Sequence, residues 1–414
     1  MELEHQGVGV AKKWDVDDDE LVEYVQQLVR IASVFDTDPP YSAEKPHTEA
    51  EAAEAVAAKM RDWGWEPTVE DVVPGRPNVV AVLDCGIPGP TLMFEGHTDV
   101  VSEGDRSEWS FDPYCAEIRD GRLLGRGSAD MKAGLAAAMY GARAVQLAGD
   151  FPGRIVVAAL CDEEGMMQGA KHFAKQPLAK EIDGVIVCEP EDYEVCAVSK
   201  GAIRLKVVVH GKMAHGAMPQ HGRNPVPVAA RIVVKLADLQ QRLQERNGTH
   251  EHLGDDYITT TVIRAGDPDQ LNVIPRQAYF LCDIRTTPAV DHEDLLFQIR
   301  QIVEETALGA DCKGEAIVID DRPPVDTPID TPVVTALVQA HVNVIGSQPA
   351  YGGVPGTTDG TILVRDAAMH SVVYGPGDKW IAHQADEWVG VDDIITCAQV
   401  YAEAASIFLN GARS

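Results

Sequence analysis

One histidine and four carboxylates stand at the ends of apolar runs in this chain, and with one more histidine and one more aspartate they could hold divalent metal ions. His97 and Asp99 follow Thr91-Leu-Met-Phe-Glu, Glu163 and Glu164 follow Ile155-Val-Val-Ala-Ala-Leu, and Glu189 follows Gly184-Val-Ile-Val-Cys. Short apolar runs of this kind read as buried strands, and each ends in His, Asp or Glu instead of an ordinary turn. In an open α/β sheet, sites assemble at the carboxyl ends of the strands. Asp130, in Gly125-Arg-Gly-Ser-Ala-Asp-Met-Lys, and His383, in Gly375-Pro-Gly-Asp-Lys-Trp-Ile-Ala-His, complete the candidate set.

Singly, each residue has a plainer explanation. A His-x-Asp occurs in many surface loops, and one of its members can ligate while the other orients the imidazole. Asp130 opens an Ala-rich helix and reads equally as an N-cap carboxylate. Neighbours on a regular strand point to opposite faces, so Glu163 and Glu164 can serve one site only where the strand ends, as Gly165 permits. Glu189 stops at Pro190. Their convergence at one sheet edge is what chance does not supply.

The elements that must position these residues divide the chain. An acidic-capped amphipathic helix begins at Asp17, and a second runs from Thr48 to about Trp63. Strands near 77–84 and 91–96 follow, then a hairpin turning at Asp120-Gly121. A long helix over Met131 to Leu147, strand 154–160, helix 169–176 and strand 184–188 continue the alternation expected of a largely parallel, helix-covered sheet. The pattern then changes to strand 202–210, helix 225–245, strands 257–263 and 277–285, helix 291–306 and strand 315–319. That order is a split βαβ, ferredoxin-like unit, with Pro323-Pro324 as its exit. The reading is an α/β catalytic domain over 1–199 and 323–414, interrupted by an inserted α+β domain over 200–322.

Composition excludes several classes. A length of 414 residues favours two domains, and 45% hydrophobic with 24% charged residues is ordinary for a globular protein. A net charge of −30 argues against nucleic acid or an anionic membrane as partner. No apolar run spans a bilayer, and Met1-Glu-Leu-Glu-His shows no signal peptide. The eight cysteines form no Cys-x-x-Cys pair, so a reduced, cytoplasmic protein is expected. Neither a phosphate-binding loop nor a dinucleotide fingerprint is present.

Taken together, Gly96-His-Thr-Asp-Val-Val, Trp109-x-x-Asp-Pro, Gly125-Arg-Gly-Ser-Ala-Asp-Met-Lys-Ala-Gly, Asp162-Glu-Glu-Gly, Cys188-Glu-Pro and Ala382-His-Gln-Ala-Asp-Glu resemble the metallohydrolase family of acetylornithine deacetylase, succinyl-diaminopimelate desuccinylase and glutamate carboxypeptidase. The resemblance runs from about residue 18 to 410. It implies an aminopeptidase-like catalytic domain with a lid and dimerisation domain inserted. It also implies a pair of metals about 3.5 Å apart, bridged by Asp130, with His97 and Glu189 on one and Glu164 and His383 on the other. Asp99 would orient His97, Glu163 would be general base and then acid, and the Asp130–Met131 peptide would be cis. The metals would polarise the scissile carbonyl and bring the pKa of bound water from near 16 toward ~7.

The same resemblance gives the inserted domain its roles. His215, in Gly211-Lys-Met-Ala-His, would reach a neighbouring subunit's site and stabilise the oxyanion, making the protein a homodimer. Asn272 and Arg285 would hold a substrate carboxylate, for which a guanidinium fork is suited, and Thr357 and Thr358 would line the pocket. His210, His221, His250 and His252 lie near one another in sequence but read as strand and turn residues, not ligands. Met166-Met167 and Pro190-Glu-Asp depart from the family's usual stretches, which weakens transfer of any particular substrate.

The expected function is metal-dependent hydrolysis of the amide of a small, carboxylate-bearing N-acyl amino acid. One or two divalent ions are expected, zinc first and manganese or cobalt next. Alternatives are a dipeptidase or carboxypeptidase, an aminohydrolase releasing ammonia from an aromatic acid such as an aminobenzoate, and a non-catalytic scaffold.

Overall fold

The computed structural model describes residues 14–35 and 48–411. The amino-terminal residues in which no signal peptide is read therefore lie outside the described residues. Along the chain come α1 (Asp18–Arg30), α2 (Thr48–Asp62), β1 (Thr68–Val73), β2 (Arg76–Asp84), β3 (Thr91–His97), β4 (Ile118–Arg119), β5 (Arg122–Leu124), α3 (Ala133–Leu147), β6 (Arg154–Leu160), α4 (Gln168–Phe173), β7 (Gly184–Val187) and β8 (Val195–Ser199). Next are β9 (Gly201–His210), β10 (Ala214–His215), α5 (Val226–Asn247), β11 (Tyr257–Ala265), β12 (Val273–Ile274), β13 (Gln277–Thr286), α6 (His292–Leu308), β14 (Lys313–Arg322) and β15 (Val325–Asp326). The chain closes with α7 (Pro332–Ile345), β16 (Tyr351–Val354), α8 (Asp359–Ala367), β17 (Ser371–Val373), β18 (Trp388–Gly390) and α9 (Val391–Gly411).

Two compact units result. The first holds the chain up to Ala197 together with Thr327–Gly352 and Thr358–Ser414, and the second holds Val198–Asp326 with Gly353–Thr357. In the first unit the sheet order is β1-β2-β6-β3-β7-β17-β8. The central strands β6, β3, β7 and β17 are parallel, and β1, β2 and β8 join antiparallel. All residues of β3 and β7 are buried, as continuous apolar strands covered on both faces must be. Helix α9 packs against both α3 and α7 beside this sheet.

Sequence and structure differ at the start of α3. The alanine-rich run suggests a helix from Met131, but Asp130 (φ −111°, ψ 97°) and Met131 (φ −134°, ψ 31°) are not helical, and α3 starts at Ala133. Asp130 is therefore not an N-cap. Its peptide bond to Met131 is cis. Lys132 next to it is buried and donates to the carbonyls of Leu28 (2.9 Å) and Ile31 (2.7 Å) at the end of α1, fixing the turn to that helix. Strand β1 was not anticipated. It is an edge strand with an exposed first half, so no buried alternation marks it.

Close packing behind Glu189 gives one prediction. A Cβ on Gly134, in the first turn of α3, would lie 1.9 Å from the carbonyl oxygen of Cys188. Backbone cannot yield as a flexible side chain can. We expect Gly134→Ala to lower the thermal midpoint by several degrees, an overpacking cost of about 1–3 kcal/mol, read by circular dichroism against the parent protein.

The second unit is a four-stranded antiparallel sheet in the order β14-β9-β13-β11, the ferredoxin-like arrangement. Its alternating inner residues, among them Ile203, Leu205, Val207, Phe280 and Ile284, form one core with Val228, Ile232 and Leu236 of α5 and Leu295, Ile299 and Val303 of α6. A two-stranded ribbon of β10 and β12 projects from it.

Candidate metal centre

The carboxyl ends of β3, β6 and β7 deliver the expected side chains to one place. His97 is the last residue of β3, Glu163 and Glu164 lie in the turn after β6, and Glu189 lies two residues beyond β7. Asp130 comes from the irregular turn before α3, and His383 from the loop between β17 and β18, where its φ is +64°. The Nε2 of His97 lies 3.1 Å from Asp130 Oδ1 and 3.5 Å from Glu189 Oε1. The Nε2 of His383 lies 3.2 Å from Asp130 Oδ2 and 3.0 Å from Glu164 Oε1. Asp130 thus offers one oxygen to each imidazole. Donor atoms of His97, Glu163 and Glu189 also lie within 4.8 Å of one another.

Asp99 does two jobs, and the more intimate one with His97 falls to its main chain. His97 Nδ1 is 2.9 Å from the Asp99 carbonyl oxygen but 3.7 Å from its carboxylate. The carboxylate instead accepts the backbone N–H of Glu163 and of Glu164, each at 3.1 Å. A single buried side chain therefore sets both acids of the turn.

A second tier holds that turn and was not read from the sequence. Asp162 adopts φ +65° and its carboxylate accepts from Met166 and Gln168, both at 3.3 Å. Arg76 of β2 pairs with Asp162 at 2.7 Å and with Glu49 of α2, and Glu49 accepts the Asp162 N–H at 3.0 Å. Gly165 must lack a Cβ, which would lie 2.1 Å from the Phe35 ring. The one sequence signal available was a charged residue opening an otherwise apolar strand, and nothing local separates that from a surface arginine.

The electrostatics describe a site in want of positive charge. Burial raises Glu163 well above the usual carboxylate range, and Glu164 and Glu189 add to it against the pull of His97. Burial together with Asp130 pushes Glu189 up to about 8. Burial lowers His97, yet Glu189, Asp130 and Asp99 outweigh it and hold the imidazole well above its ordinary value. Hydrogen bonds to Asp130 and Glu164 push His383 up to about 11. Glu95, two residues before His97, is buried against Asp359 and is likewise raised, first by burial. So many carboxylates can all ionise only if cations share them. Imidazole nitrogens with carboxylate oxygens are a donor set that suits zinc, cobalt or manganese, and the residues fit such ions.

The remaining candidates lie in or next to the second unit. His215 is exposed on β10, and Gly216 beside it donates to the Asn272 carbonyl at 2.6 Å, so His215 and Asn272 share one ribbon. Arg285, near the end of β13, is held by Asp283 at 2.8 Å. Thr357 is half-buried and accepts from Arg322 at 3.3 Å. Thr358, in the first unit, is buried before α8. His210, His221, His250 and His252 join none of the metal-type groupings among the described residues.

Residues 93–406 match the sequence profile of peptidase family M20/M25/M40. The chain is 32% identical over 333 residues to the succinyl-diaminopimelate desuccinylase of Phenylobacterium zucineum (strain HLK1), covering 77% of this chain and 83% of that one. It is 26% identical over 387 residues to a probable succinyl-diaminopimelate desuccinylase of Staphylococcus epidermidis (strain ATCC 12228), covering 87% and 93%. Its fold is similar to that of the M20 family metallo-carboxypeptidase Sso-CP2 from Sulfolobus solfataricus, with a TM-score of 0.75, 18% identity and coverage of 94% and 99%.

Proposed function

We propose that this chain, which belongs to peptidase family M20/M25/M40, hydrolyses the amide bond of a small N-acyl amino acid bearing a free carboxylate. Membership makes it a metallohydrolase of amide or peptide bonds. The acyl amino acid reading is supported by the desuccinylases it resembles over most of both chains. The observation that carries the site is the shared Asp130, one oxygen 3.1 Å from His97 and the other 3.2 Å from His383.

On this reading His97, Glu189 and Asp130 would hold one divalent cation, zinc first, and Glu164, His383 and Asp130 would hold a second. Bound there, the cations supply Lewis-acid polarisation of the scissile carbonyl and acidify water. Glu163 removes the water's proton and passes it to the leaving nitrogen, its main chain fixed by Asp99. Arg285 and Asn272 bind the substrate carboxylate, and Thr357 and Thr358 line the pocket. His215 stabilises the oxyanion in the site of a partner subunit. We take residues 1–199 and 323–414 as the catalytic domain and 200–322 as the lid through which two chains pair. The exposed Met213, Met218 and Leu271 beside His215 and Asn272 suit a surface that meets another. Eight free cysteines, five of them buried, suit the reducing cytoplasm, and no described helix is long and apolar enough to cross a membrane.

The test is a steady-state assay of zinc-loaded protein on N-succinyl and N-acetyl amino acids, with dipeptides and aminobenzoates in the same panel. Free amino acid with the released acyl acid is the expected result. Cleavage of dipeptides alone would move the assignment to a peptidase, the reading favoured by the fold's similarity to a metallo-carboxypeptidase. Ammonia from the aminobenzoates would move it to an aminohydrolase. On the preferred substrate, Arg285→Met should raise KM by about 10–100-fold with kcat little changed, the loss of a charged hydrogen bond.

A further inference from the structure

Asp130 and His383 are 253 positions apart in the sequence, yet both must be placed together for the second cation to be held. A small antiparallel sheet brings their segments side by side. Strand β18 pairs with β5, Trp388 opposite Leu124, so the residues just before β18 lie against the turn that follows β5. The Gly125 N–H donates to the Glu387 carbonyl at 2.9 Å.

Within that joint Glu387 is fully buried and reaches both ways. Its Oε1 accepts the backbone N–H of Ala129 at 3.0 Å and of Asp130 at 3.1 Å. Its Oε2 pairs with the guanidinium of Arg126, which is 2% exposed. Arg126 in turn donates to the carbonyl of Gln384, the residue after His383, at 3.2 Å, and lies 5.2 Å from the Trp109 ring centroid. Glu387 comes from the His383 loop and holds the Asp130 turn. Arg126 comes from the Asp130 turn and holds the His383 loop. The brace is reciprocal.

We propose that Glu387, locked by Arg126, is the positioning residue that fixes Asp130 and His383 relative to each other and so governs retention of the second cation. The inference rests on the two-cation reading above. The first cation's other ligands do not depend on this joint. His97 ends the central strand β3, whose pairing with β6 and β7 does not involve this joint. Glu189 follows another central strand, whose Val187 pairs with Glu95 of β3. On the other side, Glu164 is set by Asp99, which leaves His383 as the ligand delivered by a long loop and stationed by Arg126 and Glu387. Partners of ligands that do not themselves touch the metal change affinity by about 10–100-fold when lost.

The test is titration of metal-free protein with cobalt(II), followed by calorimetry and by the visible absorption of each equivalent, in wild type and in Glu387→Gln. Glutamine keeps an oxygen for the two amides but removes the charge opposite Arg126. Because that strands a buried cation, Arg126→Met/Glu387→Gln serves as a second variant with no unpaired buried charge. In both, the first equivalent should lose less affinity than the second, because it shares Asp130 but keeps His97 and Glu189 on their strands. The second should bind about 10–100-fold more weakly with an altered spectrum. A folded variant that takes up two equivalents with wild-type affinities and spectra would overturn the proposal. Wild-type protein that binds no cobalt would instead overturn the cation site itself, and the two failures are told apart by the wild-type titration alone.

Discussion

Glu163→Ala will retain its bound metal and lose about 10²–10⁴-fold in kcat, with KM within a few-fold of the parent. The asymmetry follows from where Glu163 sits. Its carboxyl shares a cluster with His97 and Glu189, but the close imidazole contacts of the site go to Asp130, Glu164 and Glu189. Its main chain is anchored independently through Asp99, so truncating the side chain leaves the turn in place. Metal content by elemental analysis, set beside kcat, checks this. Loss of metal in proportion to activity would make Glu163 a ligand and leave the reaction without its assigned base.

Asp130→Ala will abolish turnover and release both cations, the largest effect expected of any substitution here. Among the described residues this carboxylate alone meets both imidazoles, and against its burial His383 and His97 hold it well below the usual carboxylate range. Asp130→Asn keeps the shape but not the charge and should fail as well, because an amide offers only one oxygen where two are used. Activity should not return at any zinc concentration that leaves the wild type fully loaded. Retention of one tightly bound ion by Asp130→Ala would show that the ions are held separately and that Asp130 does not bridge them. Both variants keep a small side chain at a site 13% exposed, so folding is not expected to confound the reading.

Much of this arrangement was legible in the sequence because it lies on strong periodic signals. Strands β3, β6 and β7 are continuous apolar runs, and their polar terminal residues stand out against them. The inserted unit showed itself by a change of pattern, and its strand-helix-strand-strand-helix-strand order translates into the β14-β9-β13-β11 sheet. What was not legible depends on distant pairing. Glu49 looks like any acid in the first turn of a helix, and only the fold shows it fully buried against Arg76. Glu387 closes a recognisable motif, but nothing local gives it a role, since its partners Arg126, Ala129 and Asp130 are more than 250 positions away. Strands of two or three residues such as β4, β10 and β18 are too short for any period to register, although the hairpin between β4 and β5 was marked by its turn. There Asp120 and Gly121 both have positive φ, as that two-residue turn demands. The start of α3 was misplaced because alanine content reports helix propensity and is blind to the backbone of Asp130 and Met131.

The decisive measurement is hydrolysis of an N-acyl amino acid by zinc-loaded protein in water enriched in oxygen-18, with the products weighed by mass spectrometry and Glu163→Ala run alongside. One heavy oxygen is expected in the released acyl acid and none in the free amino acid, with about 10²–10⁴-fold less of both from the variant at comparable metal content. Metal-loaded wild-type protein that leaves every acyl amino acid intact, or a variant that turns over as fast as the parent, would contradict the proposed reaction.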